Sequence, residues 1–264
     1  RCDPELLARF NEISTKVVVL HVRREGTWRG FLNMIRIVKE YHPDIVQTWM
    51  SHSNFVGCIL KVFTPCDRLV WSIHSAGPSI NRMTRLVEWV CARLSPFFPE
   101  RIVYSSAAAK DYFEGLHYSK KKSIVINNGI DIDLFKRSIS EGDSFRKKLD
   151  IDSETYVIGS VARWHPVKDH ATFFESASVL KTREKNIRIL CAGIGMDKSN
   201  AELMGLIERF DLASQVILLG VRSDMPSLMN ALDLLVCSST SESFGNVVVE
   251  AMSCGTPVLT TDCG

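Results

Sequence analysis

Along this chain, short runs of consecutive apolar residues alternate with longer stretches whose apolar residues recur every three or four positions. The short runs are rich in β-branched side chains: "KVVVLHV" (16–22), "DIVQTW" (44–49), "RLVWSIH" (68–74), "RIVYSS" (101–106) and "SIVINNG" (123–129). The series continues with "YVIGSVA" (156–162), "RILCAG" (188–193), "VILLG" (216–220), "DLLVCSS" (233–239) and "PVLTT" (257–261). Most are continuous rather than alternating, which predicts strands buried on both faces, as in a parallel sheet. Between them, residues 28–42, 81–94, 170–183 and 201–211 carry the helical period. This alternation predicts an α/β fold of open, doubly wound parallel sheets. The polar stretch "RSISEGDSFRKKLDID" (137–152) contains no strand run and reads as the join between two domains, 1–136 and 137–264.

Composition changes that picture little. The chain has 264 residues, 45% hydrophobic and 23% charged, with a formal net charge of +2. This is ordinary globular material, enough for one large domain or two average ones. It offers no basic footprint for nucleic acid. No apolar run approaches the ~20 residues of a membrane span, and no signal-peptide pattern follows Arg1. Cys2, Cys58, Cys66, Cys91, Cys191, Cys237, Cys254 and Cys263 form no C-x-x-C pair, and several sit inside apolar runs. They read as reduced thiols of a cytoplasmic protein rather than a disulfide framework or a zinc site. The chain opens on Arg rather than Met and stops at "TTDCG", where a loop and helix should follow. It therefore reads as a piece of something longer.

In open α/β sheets the ligand lies beyond the carboxyl ends of the strands, so chemistry is sought in the loops that leave each run. After "YVIGSVA", the loop "RWHPVKDH" sets Arg163 and Lys168 on either side of Pro166, two cations suited to a diphosphate. After "VILLG", Gly220 permits a tight turn, Asp224 and Pro226 are placed to begin a helix, and Val221 and Arg222 lie between. After "DLLVCSS", a polar turn carries Glu242 and leads into a helix start at Phe244, Gly245, Asn246 and Val247, whose backbone amides would form an anion site. Gly245 allows a close backbone approach. Glu250, with seven residues between it and Glu242, would lie about one turn into that helix, where a carboxylate can hold the two hydroxyls of a ribose. In the N-terminal half, His74 ends a strand run, and His52 is a weaker candidate at a neighbouring one.

The stretches "ESFGNVVVEAMSCGTPVLTTD", "GSVARWHPVKDH", "IVINNGIDIDLFK" and "LLGVRSDMPSLMNALDLLVCSS" resemble, in order, motifs of the large retaining glycosyltransferase family with the GT-B fold and an E-x₇-E signature. The resemblance covers roughly residues 40–264. It implies two facing Rossmann-like domains. It also implies roles: Arg163 and Lys168 on the donor diphosphate, Glu242 on hydroxyls of the donor sugar, and the Phe244–Val247 amides on sugar and phosphate. Glu250 would hold the ribose, the backbone at Val221 and Arg222 would read the base, and His74 would stand near acceptor and transferred sugar. The family's Gly-rich loop after its first strand and its segment beyond the E-x₇-E helix are not visible in this sequence.

The implied activity is transfer of a sugar from a UDP- or GDP-linked donor to a saccharide or lipid-linked acceptor, with retention, in envelope polysaccharide or glycolipid synthesis. Neither a metal nor a cofactor is called for, since two cations and a helix N-terminus can carry the leaving charge. An epimerase or phosphorylase of the same architecture, and a nucleotide-binding remnant, are the rival readings. Other stretches read as structural: "DID" (131–133) as a cap rather than a metal site, "GIG" (193–195) as no dinucleotide fingerprint, and "SKKK" (119–122) as a solvated turn. Residues 81–98 mix Arg82, Arg85 and Arg93 with Trp89, Phe97 and Phe98. They read either as a core helix or as a helix lying on a membrane surface, which would place the protein peripherally at its inner face.

Overall fold

The computed structural model describes residues 8, 10–12, 14, 16–20, 27–79, 81–183 and 186–263. They divide into two compact units, one of Arg1–Ile73, Ser79–Val103 and Glu114–Ile124, the other of His74–Pro78, Tyr104–Phe113 and Val125–Gly264.

Helix α1 (Thr27–Tyr41) leads into β1 (Ile45–Trp49), α2 (Met50–Phe63), β2 (Arg68–Ile73), α3 (Arg82–Leu94), β3 (Arg101–Tyr104), α4 (Ala107–Gly115) and β4 (Ser123–Val125). The four strands form one sheet in the order β1-β2-β3-β4, with β1 and β2 parallel and Val46 opposite Leu69. Phe31, Met34, Ile35 and Val38 of α1 fall on one face by their spacing and pack with Leu60 and Cys66. Two sequence expectations change here. Residues 16–20 carry no strand; among the described residues the sheet ends at β1, so nothing pairs with them. Residues 21 and 22 of that expected strand lie outside the described residues. Conversely, α2 has no clear apolar period, because its buried face includes Ser51, Asn54, Gly57 and Cys58. Polar pairing holds that face instead: Thr48 Oγ1 donates to Asn54 Oδ1 at 2.6 Å inside the protein.

The second sheet is built from β5 (Tyr156–Val161), β6 (Ile187–Ala192), β7 (Val216–Gly220), β8 (Leu234–Cys237) and β9 (Val258–Thr260). Its helices are α5 (Ile139–Lys148), α6 (His170–Arg183), α7 (Ala201–Arg209), α8 (Met225–Ala231) and α9 (Asn246–Ser253). Successive strand residues serve opposite cores. Val157, Leu190 and Leu235 pack with Phe145, Leu228, Met229 and Ala251 from α5, α8 and α9. Ile158, Ile189 and Cys191 pack with Phe173, Phe174, Leu203 and Ile207 from α6 and α7. Burial on both sides is why these strands read as unbroken apolar runs. In the expected join at 137–152, α5 buries Phe145, and Arg146 reaches Asp233 at 2.8 Å.

Strand order is β7-β6-β5-β8-β9, with parallel pairing throughout the registers. The chain therefore winds outward from β5 through β6 to β7, then returns to the other side of β5. The helices that follow β5 and β8, α6 and α9, pack on opposite faces at this reversal and leave a crevice beyond the carboxyl ends of the two strands. Its walls are held by backbone hydrogen bonds. Trp164 N–H donates to Ile194 O at 2.7 Å, and Gly193 N–H to Gly220 O at 2.7 Å. Gly193, part of the "GIG" stretch, has φ +140°, and a Cβ there would stand 2.2 Å from the Ala162 carbonyl oxygen. That approach, not a dinucleotide, accounts for the glycine.

Replacing Gly193 by Ala should lower unfolding stability by about 1–3 kcal/mol through strain and overpacking. Gly205, mid-helix in α7 with nothing within 4 Å of its missing Cβ, supplies the opposite case. Gly205→Ala should raise stability by about 0.5–1 kcal/mol. Urea unfolding of the two variants checks both, and equal effects would contradict the close-packed loop.

Candidate functional site

The loop after β5 is shaped by its own residues before any ligand is considered. His165 Nδ1 accepts from Val167 N–H at 3.3 Å, and Pro166–Lys168 form one 3₁₀ turn. Asp169 follows in the left-handed region (φ 44°) and caps α6 through Thr172 N–H at 3.3 Å. His170, buried and stacked on Trp164 with centroids 4.9 Å apart, has its pKa pushed down by burial. Its Nε2 lies 3.1 Å from the Arg163 carbonyl oxygen, which can only accept, so Nε2 carries the proton and fixes the backbone at Arg163.

The loop after β8 is tied to the first. Thr240 N–H donates to Val167 O at 2.8 Å, and Ser238 Oγ donates to Lys168 O at 2.9 Å and Asp169 O at 3.0 Å. Lys168 Nζ forms an ion pair with Glu242 Oε1, the same oxygen that accepts Ser239 Oγ at 2.6 Å. Both partners are largely shielded from solvent, at 18% and 16% side-chain exposure. Oε2 has no partner among the described residues. The pair therefore leaves one carboxylate oxygen and two ammonium protons available.

Glu242 leads to Gly245, which caps α9 at φ 74° and ψ 57°. A Cβ there would only touch Val248 at 3.5 Å, so the backbone conformation, not space, calls for glycine. The α9 amides at Asn246 and Val247 have no preceding turn to accept them and point outward as an anion site. Three further contacts within the same unit brace the loop: Ser241 Oγ to Ala76 O at 2.5 Å, Ser243 Oγ with Ser105 Oγ at 2.6 Å, and Asn128 Nδ2 to Asn246 Oδ1 at 2.9 Å.

Together these elements enclose a cavity of about 600 Å³. It brings together His74, Arg163, Lys168, Glu242, Phe244, Gly245, Asn246 and Val247, all singled out from the sequence. It also contains Asn128, Val161, Ala162 and Ser243, which the sequence reading missed. Asn128 stands just beyond β4, so the carboxyl-end rule applied to that strand would have found it. No hydrogen bond or ion pair engages the Arg163 side chain among the described residues, leaving its guanidinium exposed to the cavity. A more apolar cavity of about 390 Å³, between α6 and strands β8 and β9, has no charged lining residue and cannot neutralise a diphosphate.

Three expected residues lie outside the charged cavity. Glu250 is half-buried in the second turn of α9, with no hydrogen bond to its carboxylate among the described residues, and burial raises its pKa. Val221 is exposed on the loop after β7. Arg222 is committed to Asp224 by two bonds at 2.8 and 2.5 Å, which hold the Asp224 carboxyl below its usual range. That pairing explains why Asp224, at the N-cap of α8, makes no side-chain cap bond. His52 is exposed on α2 and does not line the cavity. Asp131 Oδ1 accepts from Asp133 and Leu134 N–H at 3.0 Å each, capping a turn as expected. The "SKKK" turn is less solvated than expected, because Lys122 Nζ donates to Pro99 O at 2.6 Å.

Comparison with known proteins places this geometry. Residues 2–134 match the model for Glycosyltransferase Family 4, and residues 142–264 match that for Glycosyl transferases group 1. A putative glycosyltransferase of Bacillus subtilis, EpsF, is 31% identical over 159 residues, covering 59% of this chain and 40% of EpsF. The Escherichia coli UDP-Gal:alpha-D-GlcNAc-diphosphoundecaprenol alpha-1,3-galactosyltransferase is 25% identical over 242 residues, covering 89% of this chain and 62% of that protein. The crystal structure of Anabaena HepE in complex with UDP and glucose superposes with a TM-score of 0.86 at 25% identity, covering 100% of this chain and 72% of that one. The chain thus spans about two fifths to three quarters of the length of these relatives. With both halves matched and two parallel α/β sheets of GT-B type, the chain belongs to glycosyltransferase family 4.

Proposed function

We propose that this protein moves a sugar from a nucleoside-diphosphate sugar, UDP- or GDP-linked, to a saccharide or lipid-linked acceptor, as a step in building an envelope polysaccharide or glycolipid. The donor binds residues 137–264 and the acceptor residues 1–136, and the protein works peripherally at the inner face of a membrane. The observation that carries this reading is the charged cavity at the strand-order reversal, where Arg163, Lys168, Glu242 and the α9 N-terminus converge. The E. coli relative is named for a UDP-galactose donor and a diphosphoundecaprenol-linked acceptor, and HepE was crystallised with UDP and glucose. Both favour the UDP-linked donor.

When the bond to the anomeric carbon breaks, negative charge grows on the leaving diphosphate. Lys168 offers its two remaining protons to it, Arg163 a planar fork, and the α9 amides further donors. Glu242 Oε2 accepts hydroxyls of the donor sugar, and the Lys168 pair holds that carboxylate in place. Glu250 holds the ribose hydroxyls, and the exposed backbone at Val221 contacts the base. His74 stands where acceptor meets transferred sugar. The acceptor proton can pass to the leaving phosphate on the same face, which gives retention without a carboxylate nucleophile. No metal is needed to carry the leaving charge in this scheme.

Two predictions follow from these roles. Lys168→Ala should lower kcat about 10²–10³-fold, the range seen for loss of one preorganised donor, with a UDP-sugar, a lipid-linked acceptor and the whole protein. Turnover near wild type would remove Lys168 from the diphosphate.

Glu250 couples binding to stability. Its carboxyl is raised in the fold, so the native state binds the proton more tightly than the unfolded chain. Stability therefore declines as pH rises from about 4.3, the unfolded value, through the folded pKa, and is level above it. Glu250→Gln should be more stable than wild type at neutral pH, with the advantage vanishing below about pH 4.3. The same variant should bind UDP about 10–100-fold more weakly, from the loss of hydrogen bonds to a charged acceptor. Thermal unfolding across pH, with calorimetry of UDP, GDP and ADP, checks both. Failure of the folded protein to bind any of the three would sink the donor-site assignment.

A further inference from the structure

The first turn of α6 holds a histidine that packing alone does not require. His170 is 4% exposed, its ring lies on Trp164 at an interplanar angle of 9°, and its Nδ1 has no hydrogen-bond partner among the described residues. A leucine or phenylalanine would cover Trp164 without enclosing an unpartnered nitrogen. What the imidazole supplies, and they cannot, is the Nε2–H that meets the Arg163 carbonyl oxygen at 3.1 Å.

That bond completes a clamp. The peptide unit joining Arg163 to Trp164 donates its N–H to Ile194 O at 2.7 Å and presents its oxygen to His170, so the plane is pinned at both ends. Trp164 is itself fixed. Its Nε1–H donates to Glu202 Oε2 of α7 at 3.2 Å, and a Cβ on Gly195 would stand 2.9 Å from the Trp164 Cβ. On the other side of Arg163, Ala162 N–H donates to Ala192 O at 2.9 Å. The Arg163 guanidinium makes no bond of its own among the described residues, so only the backbone that launches it directs it into the cavity. Lys168 differs, because its pair with Glu242 aims it from the tip. Ordering a long, unanchored side chain on a ligand costs binding free energy, and a fixed launching point lowers that cost.

We infer that His170 is a positioning residue for the donor, aiming Arg163 at the diphosphate before a nucleotide binds. This rests on the role proposed for Arg163 and adds the residue that sets where that charge stands.

The test measures calorimetric binding of UDP by the whole protein, with uridine binding read by competition. His170→Leu and His170→Asn bring no donor to the carbonyl, and should weaken UDP about five- to ten-fold while leaving uridine unchanged. His170→Gln, whose amide reaches the place of Nε2, should bind UDP as wild type does. In an Arg163→Ala background the same substitutions should cause no further loss, since His170 acts through Arg163. Equal losses for UDP and uridine, additive losses in the double variants, or a Gln variant as weak as the Asn variant would overturn the inference. Where the leucine variant does not fold, the comparison of Asn with Gln decides. Wild type and Arg163→Ala read the donor site separately. Wild type that binds neither ligand, or Arg163→Ala that binds UDP undiminished, overturns the donor-site roles themselves. A loss in Arg163→Ala with none in the His170 variants overturns the positioning role alone.

Discussion

One constraint organises this structure: in the second sheet the chain winds outward from β5 and then returns to its other side. Parallel strands all point their carboxyl ends the same way, and at the reversal the helices that follow β5 and β8 pack on opposite faces of the sheet, which leaves a crevice beside their hydrogen-bonded loops. The crevice exists before any side chain is chosen. What the sequence adds is rigidity and charge. Trp164, Gly193 and Thr240 stitch neighbouring loops through backbone hydrogen bonds, so the cations and amides are held by bonds that need no ligand. A site that must stabilise a developing charge benefits because little reorganisation is left for the moment of reaction.

The Lys168–Glu242 pair fits this logic. Two unit charges in partial shielding would each lose hydration, and pairing offsets the loss. Pairing also leaves the site competent, since Glu242 uses only Oε1 and Lys168 one of three protons. With Arg163 unpaired, the formal charge of Arg163, Lys168 and Glu242 together is one positive unit. The α9 N-terminus adds a partial positive charge, so the crevice has the sign that suits an anion without stranding an isolated cation.

The second sheet was legible because double-sided burial makes a strand an unbroken apolar run; β5, β7, β8 and β9 fall within such runs, and β6 starts one residue before its run. The loops were legible because their chemistry is carried by residue type, as with Arg163, Lys168 and Glu242. Helix α2 was hidden because hydrogen bonds rather than apolar packing satisfy part of its buried face. Helix α5 within 137–152 was hidden because Phe145 is its single large buried apolar residue among charged neighbours. Asn128 was missed because an amide after a strand looks like turn chemistry, and only the structure shows it bonded to Asn246. The Arg222–Asp224 pair was missed because a capping position and an ion-pair partner look alike in sequence.

Two places break the rules that the rest of the chain obeys. The buried cysteines show what obedience looks like: burial pushes the thiols of Cys58, Cys91 and Cys191 up to about 12, which makes them inert core residues. Glu250 is also partly buried, but among the described residues no hydrogen bond or ion pair engages its carboxylate, and a glutamine would fill the same space without the desolvation penalty. Helix α3 likewise exposes Trp89 while turning its acid Glu88 inward. Neither feature is explained by folding, since each lowers the stability or solubility of the isolated chain. Local choices that oppose the fold are expected where something outside the fold completes them. At Glu250 the complement we propose is a pair of hydroxyls, for which an ionised carboxylate is a better acceptor than an amide.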